Sequence, residues 1–409
     1  MKTLVYLQIA GRTLRVGELF SQNRRQHLSS TFAYDAAYLA DPSAYPIDPA
    51  LPLMSGAWPV PATIPRAFRD AAPDRWGRNL ISRRAAIEAA ANHTTARRLD
   101  ELDFLLGVDD ATRQGALRFK QSTEADFVYS GHEIPKLIDL PVLVNASRLV
   151  DLDDEMSKTA VQTLLDMGSA SLGGARPKAC VLDRTRLMMA KFAHPGDKWD
   201  VMGWEKTALD LAETAGVQVP QRRLMSVSGY PVLLIDRFDR TESGGRIGYI
   251  SAMTLLQADD GERYDMLDIA EHLASVSIDP RRDLRELWRR AAFGLTINNT
   301  DDHLRNHGLL REKTGWRLSP AFDLNPDPVP NAPHITTIGG ESGIGGLTVL
   351  LQSTSLFGLT PEAASAILRD IRGALLQWRS LASRNGLTQA DIDRFAPVFD
   401  QGISALRDL

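Results

Sequence analysis

The hydrophobic pattern of this chain changes its period near residue 252, and that change is the strongest constraint on its fold. Before it, alternating or continuous short apolar runs predict strands. They lie at Leu4 to Ile9, Thr13 to Leu19, Ala179 to Leu182, Leu187 to Phe192, Arg222 to Val227, Pro231 to Asp236 and Ile247 to Ile250. After it, Leu267 to Ser277, Asp283 to Asn298, Pro361 to Asn385 and Thr388 to Leu406 repeat with helical spacing. The third of these opens on Thr360-Pro361-Glu362 and stops at Gly386. A largely β half followed by a helical half predicts an α+β molecule of two lobes, with a cleft between them suited to a small molecule.

Three segments follow from this reading: a β-rich subdomain over 1–110, an α+β region over 111–252, and an all-helical lobe over 253–409. The first includes a Pro-rich stretch from Pro42 to Pro65 and predicted helices over Ala71 to Ala91 and Thr94 to Leu106. Its Pro73-Asp74-Arg75-Trp76-Gly77-Arg78 reads as a helix start with Trp76 packed on the small strand domain. Helices are also predicted over Asp153 to Met167 and Trp199 to Ala215. From residue 179 to 250 the order is strand, strand, helix, strand, strand, strand, as in a kinase amino-terminal lobe.

A net charge of −4 argues against a whole-chain nucleic-acid binder. The single cysteine, Cys180, excludes an intramolecular disulfide and a Cys-rich zinc site, and suits a reducing cytosol. The apolar start is short, followed by Arg12 and Arg15, and reads as a strand turning at Ala10-Gly11 rather than as a leader peptide. No apolar run reaches membrane-spanning length, so a cytoplasmic protein is expected.

The densest chemistry is Asn299-Thr300-Asp301-Asp302-His303-Leu304-Arg305-Asn306-His307-Gly308. An Asp with an Asn five positions later is the spacing of a kinase catalytic loop. There the Asp takes the proton of the acceptor hydroxyl and the Asn holds magnesium on the nucleotide phosphates. Phe322-Asp323, seventeen residues past Asn306, offers a second oxygen ligand, and two protein groups plus phosphates suffice for that ion. Upstream, Gly173-Gly174-Ala175-Arg176-Pro177-Lys178 can wrap phosphates with backbone N–H groups and a lysine. Lys191 stands in an apolar strand, where it needs a partner or a phosphate, and Glu205 is a candidate partner. Asp236-Arg237-Phe238 runs where the lobe connector would meet an adenine. His303 and His307 invite a metal-hydrolase reading, but further histidines in suitable context are lacking, which leaves His303 as a structural or nucleotide contact.

Assembled in this order, the parts resemble the HipA-type toxin kinases of bacterial type II toxin–antitoxin modules over nearly the full length. Asn-Thr-Asp-Asp-His-Leu-Arg-Asn-His-Gly is the most specific of them. The resemblance implies a two-lobed, protein-kinase-like fold and a site that binds ATP and Mg²⁺. It assigns Asp301 as catalytic base, and Asn306 and Asp323 as metal ligands. It assigns Gly173, Gly174, Ala175, Arg176, Pro177, Lys178, Lys191, Asp236, Arg237, Phe238, His303, Leu304, Arg305, Asn306, Phe322 and Asp323 to the nucleotide. Ser171 falls where the family carries an autophosphorylated serine, and phosphate there would repel those of the nucleotide. The phosphate loop departs from a family pattern Ala-Gly-Ala-Gln-Glu-Lys, and no glycine follows Phe322-Asp323.

The expected activity is ATP-dependent phosphorylation of serine or threonine, by resemblance on an aminoacyl-tRNA synthetase and on the chain itself. The expected partner is a HipB-like helix-turn-helix antitoxin, through which alone DNA would be reached. Two rival readings are a small-molecule phosphotransferase for a sugar or antibiotic, and a catalytically silent subunit of an antitoxin–DNA complex.

Overall fold

The computed structural model describes residues 1–9, 11–24, 27–130, 133–150, 155–167, 176–262 and 264–407. They form two compact units, residues 1–195 with 225–250, and residues 196–224 with 251–409.

In the first unit, β1 (Lys2–Ile9) and β2 (Arg12–Arg24) pair antiparallel with Ile9 opposite Arg12. Gly11, at φ +79°, takes the left-handed turn conformation that a side chain would strain. With β3 (His27–Tyr34), β4 (Ala57–Pro59) and β5 (Leu117–Lys120) they make a sheet of order β4-β3-β2-β1-β5. Helices α1 (Ala36–Leu39), α2 (Arg66–Asp70), α3 (Arg75–Ala91) and α4 (Glu101–Leu106) accompany it. Two predicted helices are shorter than expected. The one over Ala71 to Ala91 begins at Arg75, after Pro73, which has no N–H to donate. The one over Thr94 to Leu106 begins at Glu101, because Asp100 accepts from Leu102 and Asp103 N–H while Asp103 accepts from Asp100 N–H.

A second sheet in this unit joins β6 (Lys178–Asp183), β7 (Arg186–Phe192), β8 (Arg222–Val227) and β9 (Tyr230–Asp236) in the order β6-β7-β9-β8. Only the Met225–Val227 end of β8 belongs to this unit. Alternation decides what each face does. Ala179, Val181, Met188, Ala190, Phe192, Val232 and Leu234 turn one way and pack with α3, α5 (Leu140–Leu149) and α6 (Glu155–Asp166). Each large apolar side chain so withdrawn contributes about 1.5–3 kcal/mol. Trp76, expected on the first sheet, is buried in this second core instead. The opposite face carries Lys178 and Lys191, directly across from each other. After β9 the chain passes through β10 (Tyr249–Ser251) toward the second unit.

The second unit is mainly helical: α7 (Val201–Thr214), α8 (Ala252–Leu255), α9 (Met266–Val276), α10 (Pro280–Thr296), α11 (Gly346–Gln352), α12 (Pro361–Leu375), α13 (Trp378–Arg384) and α14 (Gln389–Ala405). Its aromatic core stacks Trp204 on Phe395 at 4.0 Å and Trp378 on Phe399 at 4.6 Å between ring centroids. The helix predicted over Pro361 to Asn385 is two helices, since the chain breaks after Leu375 and restarts with Trp378 buried in that stack. Helix α14 crosses the end of α10 so closely that a Cβ on Gly402 would stand 2.0 Å from the Thr296 carbonyl oxygen. One antiparallel hairpin, β11 (Gly308–Arg311) and β12 (Trp316–Leu318), interrupts the helices. Among the described residues no helix is long and apolar enough to cross a membrane.

Candidate active site

The predicted catalytic loop hangs from the C-terminus of α10, and an asparagine makes the exit possible. Asn298, at φ +56°, is left-handed. Its N–H donates to Leu295 O at 3.2 Å, and the next N–H, of Asn299, reaches back to Gly294 O at 2.9 Å. This is the helix-ending motif usually closed by glycine, and asparagine is the next most tolerant residue. Asparagine adds what glycine cannot. Its Nδ2 donates to Asp327 O at 2.8 Å and Val329 O at 2.9 Å, while Asn299 Oδ1 accepts from Asn325 N–H at 3.0 Å. The segment after Asp323 is thereby bound to the start of the loop.

Within the loop, Asn306 Nδ2 donates to Asp301 O at 3.0 Å, and Asn306 N–H to His303 O at 2.8 Å. The first bond fixes the amide flip and leaves Oδ1 as the atom able to meet a cation. Asp323 stands at φ +59°, a costly conformation for an aspartate, and its Oδ1 accepts from Asn325 Nδ2 at 3.1 Å. Burial and the Asp323 and Asp302 carboxylates raise the Asp301 carboxyl above its ordinary value, against an opposing pull from His303. Asp301, Asn306 and Asp323 therefore share one neighbourhood.

The donor set suits a hard divalent cation: one carboxylate and one amide oxygen, beside a second carboxylate whose repulsion an ion would relieve. Among the described residues no group of three or more His, Cys, Asp or Glu could hold an ion alone, so ligands from a substrate would have to complete the shell. Near it, His303 Nδ1 is buried without a hydrogen-bond partner among the described residues, an open valence beside the loop. Leu304 is buried, Phe322 and Asp323 half-buried, and Arg305 makes a two-pronged ion pair with Asp260 at 2.6 and 3.0 Å.

Of the other predicted residues, Arg176 to Lys178, Lys191 and Asp236 to Phe238 lie in the first unit. Ser171, Gly173, Gly174 and Ala175 fall outside the described residues. Arg176 follows them, and Pro177 O accepts from Phe192 N–H at 2.9 Å. Lys178 is 2% and Lys191 5% exposed. They stand opposite each other on one sheet face, where burial of charge is tolerated only with compensating groups nearby. At the end of β9, Asp236 accepts from Arg186 at 2.7 Å, and the Phe238 ring lies 6.4 Å from that of Tyr249. The Arg237 side chain is engaged by Asp239 at 2.6 and 2.7 Å, Thr112 O at 3.0 Å and Cys180 Sγ at 3.2 Å. In the second unit, Glu205 is buried on α7. Sequence reasoning missed Asn298, Asn325 and the facing pair Asp302 and His307. Only an Asn-Asn-Thr run at a helix end could have signalled the first.

A family model described as the HipA-like C-terminal domain matches residues 170–378, just over half of the chain. The chain belongs to the HipA family. A model of the HipA N-terminal domain matches residues 7–108. "Putative kinase Y4mE" of Sinorhizobium fredii (strain NBRC 101917 / NGR234) is 24% identical over 394 residues, spanning 87% of this chain and 90% of its own. The solved Shewanella oneidensis MR-1 toxin–antitoxin complex of HipA, HipB and operator DNA superposes with a TM-score of 0.70 at 14% identity. That match covers 99% of this chain and 97% of the other, and establishes the shared two-lobed α+β fold. The proinflammatory kinase CtkA of Helicobacter pylori matches at a TM-score of 0.45 and 15% identity, over 56% of this chain and 91% of its own.

Proposed function

We propose that this chain is an ATP-dependent serine/threonine protein kinase, the toxin of a cytoplasmic type II toxin–antitoxin module. Its substrates by this reading are an aminoacyl-tRNA synthetase and its own Ser171, and its partner is a HipB-like antitoxin that carries operator DNA. The observation that carries the reading is the clustering of Asp301, Asn306 and Asp323, with the Asn306 amide held on the Asp301 carbonyl at 3.0 Å. Family membership and the partner in the Shewanella complex support the rest.

In this reading Mg²⁺·ATP supplies a terminal phosphoryl group and the charge neutralisation its transfer requires. Asp301 orients the acceptor hydroxyl and takes its proton as the oxygen bonds to phosphorus and the bridging oxygen departs with ADP. Asn306 Oδ1 and the Asp323 carboxylate would hold the metal. In the first unit, the family resemblance assigns Lys178 and Lys191 to phosphate and Asp236 to Phe238 to the adenine. The elevated affinity of Asp301 for a proton suits a base better than a carboxylate at its ordinary value would.

The test is incubation of the purified protein with labelled ATP and a cell lysate. Labelled protein bands are expected, and Asp301→Asn should lower labelling by roughly 10²–10⁴-fold with its circular dichroism unchanged. Transfer only to small molecules, or full activity in the variant, contradicts the proposal.

A further inference from the structure

His307 Nε2 approaches Asp302 Oδ1 to 3.1 Å, with side chains 5% and 18% exposed. Neither residue has been given a role above, yet they bracket the whole machinery: Asp302 follows Asp301, and His307 follows Asn306. The His307 backbone is immobile, since its carbonyl accepts from Ala252 N–H at 2.7 Å and the next residue, Gly308, pairs through its carbonyl with Ser319 N–H at 2.8 Å. The ring is thus a fixed post at the start of β11.

The pairing is costly, which argues that it is more than filling. His307 Nδ1 is buried without a partner among the described residues, and the 3.1 Å approach of Nε2 to Asp302 is not aligned as a hydrogen bond. An apolar side chain would occupy this place without leaving an orphaned nitrogen. Burial works against the Asp302 charge, but His307, with His303 and His334 farther off, overcomes it and leaves the carboxyl below its ordinary value.

Resting on the phosphoryl-transfer reading, we infer that Asp302 and His307 form a brace that positions the Asp301–Asn306 clamp, and with it the metal-binding amide oxygen. Pinning Asp302 to a rigid strand start holds the Asp301 peptide, whose carbonyl in turn orients the Asn306 amide. Neither residue touches the metal; both act through Asn306. Outer partners of this kind commonly change metal affinity 10–100-fold when removed.

The experiment measures equilibrium affinity for a fluorescent, non-hydrolysable ATP analogue across a magnesium titration, so it does not depend on turnover. Asp302→Ala and His307→Leu should each raise the magnesium concentration for half-maximal tightening by roughly tenfold, and the double variant no further, because either change removes the same brace. His307→Gln, whose amide can set a polar nitrogen against Asp302 Oδ1, should stay within about threefold of the parent. A packing role predicts the reverse order, with leucine tolerated and glutamine not, and that result overturns the inference. So do magnesium curves unchanged in folded variants, or losses that multiply in the double. Should Asp302→Ala fail to fold, the leucine–glutamine comparison decides alone. If the parent protein itself shows no magnesium-linked nucleotide binding, the phosphoryl-transfer reading fails, which is a distinct result.

Discussion

Lys191 separates function from stability at the scale of one side chain. It is 5% exposed on a strand of apolar neighbours and directly faces a second buried lysine, Lys178. Removing one member of a buried charged set leaves the groups around it uncompensated and costs about 3–5 kcal/mol. Lys191→Met should therefore lower the denaturant midpoint while still giving a folded protein. The same substitution should lower ATP turnover by roughly 10²–10³-fold, the usual effect of losing one preorganised charge at a reacting group. A purely structural lysine would show the same loss of stability but retain turnover in the folded fraction. Asp301, Asn306 and Asp323 could be singled out in the sequence because their order and separation match those of a kinase catalytic loop and its metal ligand. Asp302 and His307 could not, since their contact depends on the path of a loop that spacing alone does not give.

At the scale of elements, the run Asp236 to Arg240 ties two segments of the first unit together. Asp239 accepts from Arg237 at 2.6 and 2.7 Å, Arg240 at 2.8 Å and Gly115 N–H at 2.8 Å. Arg240 also donates to Arg113 O at 2.7 Å and Arg237 to Thr112 O, so the end of β9 is bolted to the segment before β5. Burial alone would raise the Asp239 carboxyl, but the two guanidinium groups prevail and hold it well below the usual carboxylate range. A depressed folded-state pKa adds stability above the unfolded value near pH 4, and that stability is lost as pH falls below it. Asp239→Asn should cost about 3–5 kcal/mol near neutral pH, leaving the arginines uncompensated. Its stability should also fall less steeply than the parent's between about pH 4 and pH 2, which urea titrations at each pH would read. An equal acid slope would place the depressed carboxyl elsewhere. The charges of this run did not reveal this tie in the sequence, because its partners, within 108 to 118, are distant along the chain. Strands β8 and β9 were legible from local pattern, whereas α5 was missed because Pro141 reads as a breaker although it sits at the permissive first turn.

For the whole molecule, the change of period near residue 252 was enough to predict an α+β chain with a helical second half. It could not reveal that residues 196–224 join that half, because helix α7 contributes Trp204 to an aromatic core completed almost two hundred residues later. The net charge of −4, with a sequence pI near 6.1, bears on how such a chain would meet DNA. Affinity for duplex DNA comes largely from neutralised phosphates and the counterions they release, and an acidic chain contributes little to that term. If it joins an operator complex, the antitoxin must supply the phosphate contacts. In a mobility-shift titration at physiological salt, the chain alone should not retard operator DNA at about 1 μM, tighter than the usual range of non-specific binding. Antitoxin with the chain should retard it, with a salt dependence whose slope differs from that of antitoxin alone by less than about one phosphate contact. A slope steeper by several contacts would mean that a local basic surface outweighs the overall charge. The exposed arginines of α10, Arg281, Arg282 and Arg285, would then be the first to replace, because they project together from one end of a helix whose remaining length is buried.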